Sequence, residues 1–309
     1  MPSTWFEHDC ENLVQLLQTQ LDVFPEHRSF LRKRFTNLGS ESFQNLESLA
    51  EKVVKLSKGQ LARYCTAYHW MTEQMMKEDY FFRKNGHYRY SNFDEVCDKV
   101  YADAAYMQKY MDGLLISSIL WANHSQALQY LVDSFLPRLP NGFEHLEIGP
   151  GHGLYMASVA ASQKCHSLIG WDVSQTSVDC TLQALKTLKI EKNVSVVTRD
   201  IFEADYQESS FDSIVFSEIL EHLSKPAEAL QILKKLLRPG GLVFINMPIN
   251  SPAIDHIFNL PTPEDMVDFV KQSGLEVLDN RFFPATNVDI NYARKFKYNI
   301  NCIVIATKV

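Results

Sequence analysis

No CxxC pair occurs among the six cysteines, Cys10, Cys65, Cys97, Cys165, Cys180 and Cys302. Thiols scattered in this way supply neither a zinc cage nor a disulfide framework, and they read as free, buried side chains. No apolar stretch approaches the roughly 18 residues that suggest a membrane span. The first residues, MPSTWFEHDCENL, carry acids where a secretory signal would carry bases followed by an apolar run. A soluble cytoplasmic protein with no membrane partner is therefore expected. A basic excess is missing too: 30 Lys+Arg stand against 37 Asp+Glu, a net charge of -7. A general nucleic-acid binder needs a basic face to displace phosphate counterions, so nucleic acid is not an expected partner. There is no repeat of fixed period and no low-complexity segment.

What the 309 residues do hold is 46% hydrophobic content, enough for a sizeable core and two domains. Up to LPRLPNG (136–142) the chain is rich in helix formers and aromatics. Its apolar residues recur every three or four positions, as at Val100, Tyr101, Ala104, Ala105, Met107, Tyr110 and Met111. KNGHYRYSNF (84–93) reads as the one substantial loop of this half. From Phe143 onward, seven strand-like runs alternate with helical stretches: EHLEIG, SLIGWD, VSVVTRD, FDSIVFSE, GGLVFINMP, LEVLDNRFF and NINCIVIATK. Alternation at these lengths predicts βαβ units and a largely parallel sheet covered on both faces. A loop alone separates the last two runs, which predicts a closing antiparallel hairpin. The expected architecture is α/β: an all-α domain over 1–137, then a seven-stranded, mostly parallel, doubly wound sheet over 138–309.

HLEIGPGHGLY (145–155) follows the first strand into a turn with three glycines, Gly149, Gly151 and Gly153. A nicotinamide loop of the GxGxxG/A kind needs a tiny residue at position 154, where this chain has Leu154. The ExGxGxG pattern instead resembles the first motif of class I S-adenosylmethionine-dependent methyltransferases. The resemblance extends over residues 143–280 in five ordered pieces: the glycine loop, GWDVS, TRDIF, FDSIVFSEILEHL and LRPGGLVFINMP. It implies that S-adenosyl-L-methionine is held by Glu147, Gly149, Gly151, Gly153, Asp172, Val173, Asp200, Ile201 and Ser217. In such a site Asp172 would take the ribose hydroxyls and Asp200 the adenine amino group. The chemistry agrees. Glycines let the backbone approach a ligand without a Cβ clash. A helix starting near Gly153 offers N–H groups to a carboxylate, and an ionised acid at a strand's carboxyl end can accept two bonds from a diol.

SEILEHL (217–223) places Glu218, Glu221 and His222 within helical reach of one another, and His256 follows in SPAIDHIFNLPTPEDM. Two carboxylates and two imidazoles can bind a divalent metal. The arrangement is similar to that of ubiquinone-biosynthesis O-methyltransferases and small-RNA 2′-O-methyltransferases, where a metal activates the acceptor oxygen. Metal-free relatives share the pattern, and there His222, with Glu218, would act directly on the acceptor as catalytic groups. Tyr106, Tyr110 and His152 are further candidates for acceptor binding. RSFLRKRF (28–35) carries four bases in seven residues and reads as a solvated helix face or an anchor for an acidic partner.

These readings imply methyl transfer to an O, N or C nucleophile on a small or medium organic molecule, such as one of secondary-metabolite biosynthesis. The helical half would serve as lid and acceptor-binding wall. A peptide or carrier-tethered substrate, a metal-assisted O-methylation and a non-catalytic S-adenosylmethionine-binding protein stay open, as does the oligomeric state. If Asp172 holds the ribose, Asp172→Ala weakens donor binding by more than about tenfold in calorimetry, with the circular dichroism spectrum unchanged.

Overall fold

In the computed structural model, seven runs of alternating or continuous apolar residues form one sheet. They are β1 (Phe143–Ile148), β2 (Cys165–Asp172), β3 (Asn193–Thr198), β4 (Phe211–Ser217), β5 (Leu237–Ile249), β6 (Glu276–Pro284) and β7 (Ile300–Thr307). The structure describes residue 5 and residues 10–36, 38–96, 103–203 and 208–308. Cys97, Val100, Tyr101 and all but one of the first nine residues thus lie outside the described residues.

The strand order is β3-β2-β1-β4-β5-β7-β6. Strands β1 to β5 pair in parallel, and β7 lies antiparallel between β5 and β6, so six strands share one direction. Register puts Leu146 of β1 beside Ile169 and Ile214, and Phe244 of β5 beside Ile305. The closing pair is antiparallel as expected, but its connection is not a bare loop. Asp289 accepts hydrogen bonds from the N–H groups of Asn291 and Tyr292 and so starts a short helix, Ile290–Phe296, between the two strands.

The helical half contains α1 (Glu11–Val23), α2 (Arg28–Phe35), α3 (Ser40–Leu56), α4 (Leu61–Asn85), α5 (Phe93–Val96), α6 (Ala104–Leu120) and α7 (Ala122–Tyr130). Local chemistry sets several of the ends. The Glu47 carboxylate reaches across from α3 and accepts the Asn12 and Leu13 N–H groups at the start of α1. Asp103 caps α6 through the Ala105 and Tyr106 N–H groups, and Gly86, at φ +78°, ends α4 in the left-handed conformation. In α2, Arg28, Arg32 and Lys33 face solvent, whereas Arg34 turns inward and donates to Ser125 of α7 at 2.8 Å. Among the described residues no helix is long and apolar enough to cross a membrane.

Four further helices flank the sheet between strands: α8 (Leu154–Ala160), α9 (Gln175–Thr187), α10 (Pro226–Leu236) and α11 (Pro263–Gln272). One face of the sheet is covered by α10 and α11 and has its own core. The other face shares a continuous core with the N-terminal helices, running from Leu13 and Leu17 through Tyr68 and Ile116 to Phe244 and Ile305. At this seam Phe135 meets Phe244 edge-on, ring centres 5.6 Å apart. Because the two halves share one core, tryptophan fluorescence and far-UV circular dichroism are expected to report a single coincident urea transition. Phe135→Ala lowers its free energy by about 3–5 kcal/mol; separate transitions for the two probes would contradict a shared core.

Candidate active site

The turn after β1 runs through three residues of positive φ: Gly149 at +65°, Gly151 at +53° and Gly153 at +79°. At Gly149 glycine is required twice, since a Cβ there would also overlap the Ile219 side chain. The position that a nicotinamide loop keeps tiny holds Leu154, fully buried as the first residue of α8. The first N–H of that helix is already taken, because His152 Nδ1 accepts from Leu154 N at 3.3 Å. Its other nitrogen then carries the proton and faces Ser118 Oγ at 3.5 Å.

Beneath the turn, Glu147 is 3% exposed, and burial pushes its carboxyl up to about 8. At the end of β2, Asp172 accepts from Ser174 N at 2.9 Å; burial lifts its pKa to about 6, and bonds from the Ser174 and Gly151 N–H groups oppose the rise. Asp200 follows β3 and accepts from Phe202 N at 2.9 Å. Glu147, Gly149, Gly151, Asp172, Val173, Asp200, Ile201 and Ser217 all line one cavity of about 590 Å³. Gly153 does not line it. A Cβ at Gly153 would stand 3.1 Å from the Cβ of Ala184, so its role is the close packing of the turn on α9.

The other end of the cavity is built where β4 stops. Glu218 takes a left-handed conformation, φ +58°, unusual for a residue with a Cβ. Its N–H donates to the Asn246 carbonyl at 2.8 Å, and its Oε1 accepts from the amides of Asn246 at 2.8 Å and Asn301 at 2.5 Å. Burial pushes Glu218 up to about 7. Glu221 is fully buried, and among the described residues no other residue hydrogen-bonds either of its carboxylate oxygens. Burial and the nearby Glu218 push its pKa well above the ordinary range.

His222 Nδ1 lies 3.0 Å from the Asp255 carbonyl, and His256 Nδ1 lies 2.5 Å from that of Ser251. A carbonyl can only accept, so both rings carry a proton on Nδ1, and burial, lowering His256 to about 4, leaves its Nε2 as a lone pair. Glu221, His222 and His256 each bring a ligand atom within 4.8 Å of the others. Glu218, grouped with them by spacing, stands outside this set because two amides already hold it.

The cavity's remaining wall comes from the helical half: Met107, Tyr110, Met111 and Leu114 of α6, then Trp121 and His124. Tyr110 is 7% exposed there, whereas Tyr106 is drawn edge-on to Trp70 of α4, centres 4.9 Å apart, and does not line the cavity. Burial lowers His124 to about 3 and His152 to about 4, which keeps both neutral. Spacing did not reveal Asn246, Asn301, Trp121 or His124 as site residues. A signal existed for the two asparagines, since a polar amide inside an apolar strand must find partners.

A family model described as a methyltransferase domain matches residues 120–280, just over half of the chain. The chain belongs to this methyltransferase family. The tRNA 5-carboxymethoxyuridine methyltransferase of Escherichia coli (strain K12) is 26% identical over 155 residues, 49% of this chain and 54% of its own length. The ubiquinone biosynthesis O-methyltransferase of Leptothrix cholodnii is 25% identical over 170 residues, 52% of this chain and 69% of its own length. The chain spans about half the length of the first of these relatives. In fold it is similar to an O-methyltransferase family protein from Burkholderia thailandensis, with TM-score 0.55, 12% identity, and 80% of this chain and 71% of that one covered. It is also similar to the Haemonchus contortus phosphoethanolamine N-methyltransferase 2 in complex with S-adenosyl-L-methionine, with TM-score 0.52, 15% identity, and 71% and 60% covered.

A carboxyl whose folded pKa is raised adds stability at low pH and loses it as pH climbs through that value. For Glu147 the loss runs from about 4.5 to about 8. The melting temperature of the wild-type protein should therefore fall between pH 6 and pH 8.5. In Glu147→Gln, which has no proton to lose, the fall should be visibly smaller; an equal fall in both proteins would refute the assignment.

Proposed function

We propose that this chain transfers the methyl group of S-adenosylmethionine to an uncharged, largely apolar organic acceptor of small or medium size, with the helical half as lid and acceptor wall. One observation carries the reading: a single cavity runs from the Asp172–Asp200 end past Ser217 to His222 and His256, roofed by α6. The residues fit the donor. The positive-φ turn brings the bare backbone of Gly149 and Gly151 to the cavity, and Asp172 and Asp200 stand at strand ends where a diol and an amino group can be met. Bound S-adenosylmethionine supplies an activated sulfonium methyl. The protein's part is alignment, exclusion of water and handling of one proton. His222 Nε2 takes the acceptor's proton, and its Nδ1–H stays anchored on the Asp255 carbonyl.

The wall argues for a neutral acceptor. Among the described residues the cationic side chains lining the cavity are Arg199 and Lys225. Arg199 lies over Trp171 at the donor end, 5.0 Å from the ring centre, and Lys225 is two-thirds exposed and pairs with Glu228 at 3.3 Å. The acceptor end has acids and imidazoles whose Nδ1–H groups are held by carbonyls, against an apolar wall. Of the two relatives, one named for tRNA and one for ubiquinone biosynthesis, this lining favours the small-molecule type.

A second reading is supported by the orphaned Glu221 oxygens: a divalent cation fits Glu221, His222 and His256, with both Nδ1–H groups already held by carbonyls. When bound, it would supply positive charge that lowers the pKa of an acceptor hydroxyl. Incubation with S-adenosylmethionine, neutral hydroxylated acceptors and Mg²⁺ should release S-adenosylhomocysteine, and Glu221→Gln should slow this by at least about tenfold. Abolition by EDTA selects the metal reading, and indifference selects His222 alone. Release with carboxylated acceptors but not with neutral ones would overturn the proposal.

A further inference from the structure

The loop between α4 and α5 brings Asn92 to the wall of the cavity. Arg89 fastens it to α4 through Glu78, 2.8 Å away and nearly buried, and the Phe93 N–H donates to Ser224 Oγ at 3.1 Å. Just before the first of these anchors Tyr88 is 6% exposed and reaches a part of the chain more than 160 residues away. Its hydroxyl accepts from the Ser251 N–H at 3.0 Å and donates to Asn259 Oδ1 at 3.2 Å. Asn259 Oδ1 also accepts from the Asn250 N–H at 2.8 Å, and Asn250 sits in the left-handed region at φ +50°. The same phenol thus bonds both ends of the turn that follows β5.

Ser251 is the residue whose carbonyl accepts from His256 Nδ1. The Tyr88 ring packs edge-on to His256 with centres 5.9 Å apart, and His256 packs edge-on to His222 at 4.8 Å. The Glu221 carbonyl accepts from the Ile257 and Phe258 N–H groups at 2.8 and 2.9 Å, so the far side of this turn is stapled to the acceptor end as well. Burial holds the Tyr88 phenol well above its ordinary pKa, and it stays a donor at every pH of interest.

We propose that Tyr88 is a positioning residue: through Ser251 it holds His256 as the Nδ1–H form, leaving Nε2 to Glu221 and His222. The acceptor end is then complete only while the 86–93 loop is docked, which ties closure of the helical half to assembly of the acceptor-side groups. The inference rests on the reading of His256 as an acceptor-side group, but the ring's state can be read without any acceptor.

The test is nitrogen NMR of the full chain labelled with ¹⁵N-histidine, with His256 assigned by loss of its signals in His256→Gln. In the wild type His256 should be the Nδ1–H form. Tyr88→Phe keeps the ring and its edge contact but removes the hydroxyl, and should lower the ratio of Nδ1–H to Nε2–H by about tenfold. Asn259→Leu, which removes the phenol's acceptor, should act in the same direction, and Asn259→Asp, which keeps an acceptor oxygen, should resemble the wild type. An unchanged His256 spectrum in both Tyr88→Phe and Asn259→Leu would overturn the proposal. S-adenosylmethionine affinity, measured in parallel by calorimetry, should stay within about twofold in all variants, because none touches the donor end. A wild-type chain that fails to bind the donor would sink the functional reading alone and leave the ring spectrum to decide on Tyr88.

Discussion

Asn123, Asn246, Asn301 and Glu218 meet in one hydrogen-bonded cluster at the end of β4, and the site depends on it. Asn123 of α7 donates to Asn301 of β7 at 2.7 Å; Asn301 in turn donates to Asn246 and to Glu218. Each amide is buried, so each missing bond would cost the desolvation of a polar group. The cluster joins the helical half to three strands and pins Glu218 in a backbone conformation that it would not adopt alone. From that bend the chain turns so that His222 faces the cavity and Glu221 is buried behind it, rather than continuing as strand.

The acceptor end is a buried set short of hydrogen-bond partners. Glu218 has two amides, but among the described residues no other residue hydrogen-bonds the oxygens of buried Glu221. The neighbouring imidazoles have their Nδ1–H groups spent on backbone carbonyls. Such a set is poorly balanced by itself and is completed by a cation or by a hydroxyl that can donate. At the proposed donor end Asp172 and Asp200 are tied to backbone N–H groups, while the Glu147 Oε2 is buried without a hydrogen-bond partner among the described residues. The proposed methyl transfer asks one end to hold a preformed cation and the other to accept a proton.

Much of the fold was legible in the residues because the relevant signals are local. Period-two apolar runs, Pro226 at a helix start, and Leu154 where a nicotinamide loop would need a tiny residue each act through near neighbours. That Asp172, Asp200 and Ser217 gather at one cavity was legible for the same reason, since each strand end delivers its residue to the same edge of a parallel sheet. The short helix between β6 and β7 escaped because its Asp289 cap carries no strong periodicity beside it. Tyr106 misled because Tyr106 and Tyr110 share a helix face; Trp70, 36 residues earlier, drew one ring away.

By itself the sequence determined the class of fold, the order of the motifs and the positive-φ glycine turn after β1, because strand alternation and glycine conformations are properties of short segments. Tertiary structure alone decided which of four spaced ligands converge, Glu221, His222 and His256 without Glu218. It also decided that an asparagine cluster holds Glu218, that α6 roofs the cavity, and that Tyr88 reaches across to Ser251. Those are contacts between residues tens to more than a hundred positions apart, set by how two halves pack on one core, and no spacing along the chain encodes them.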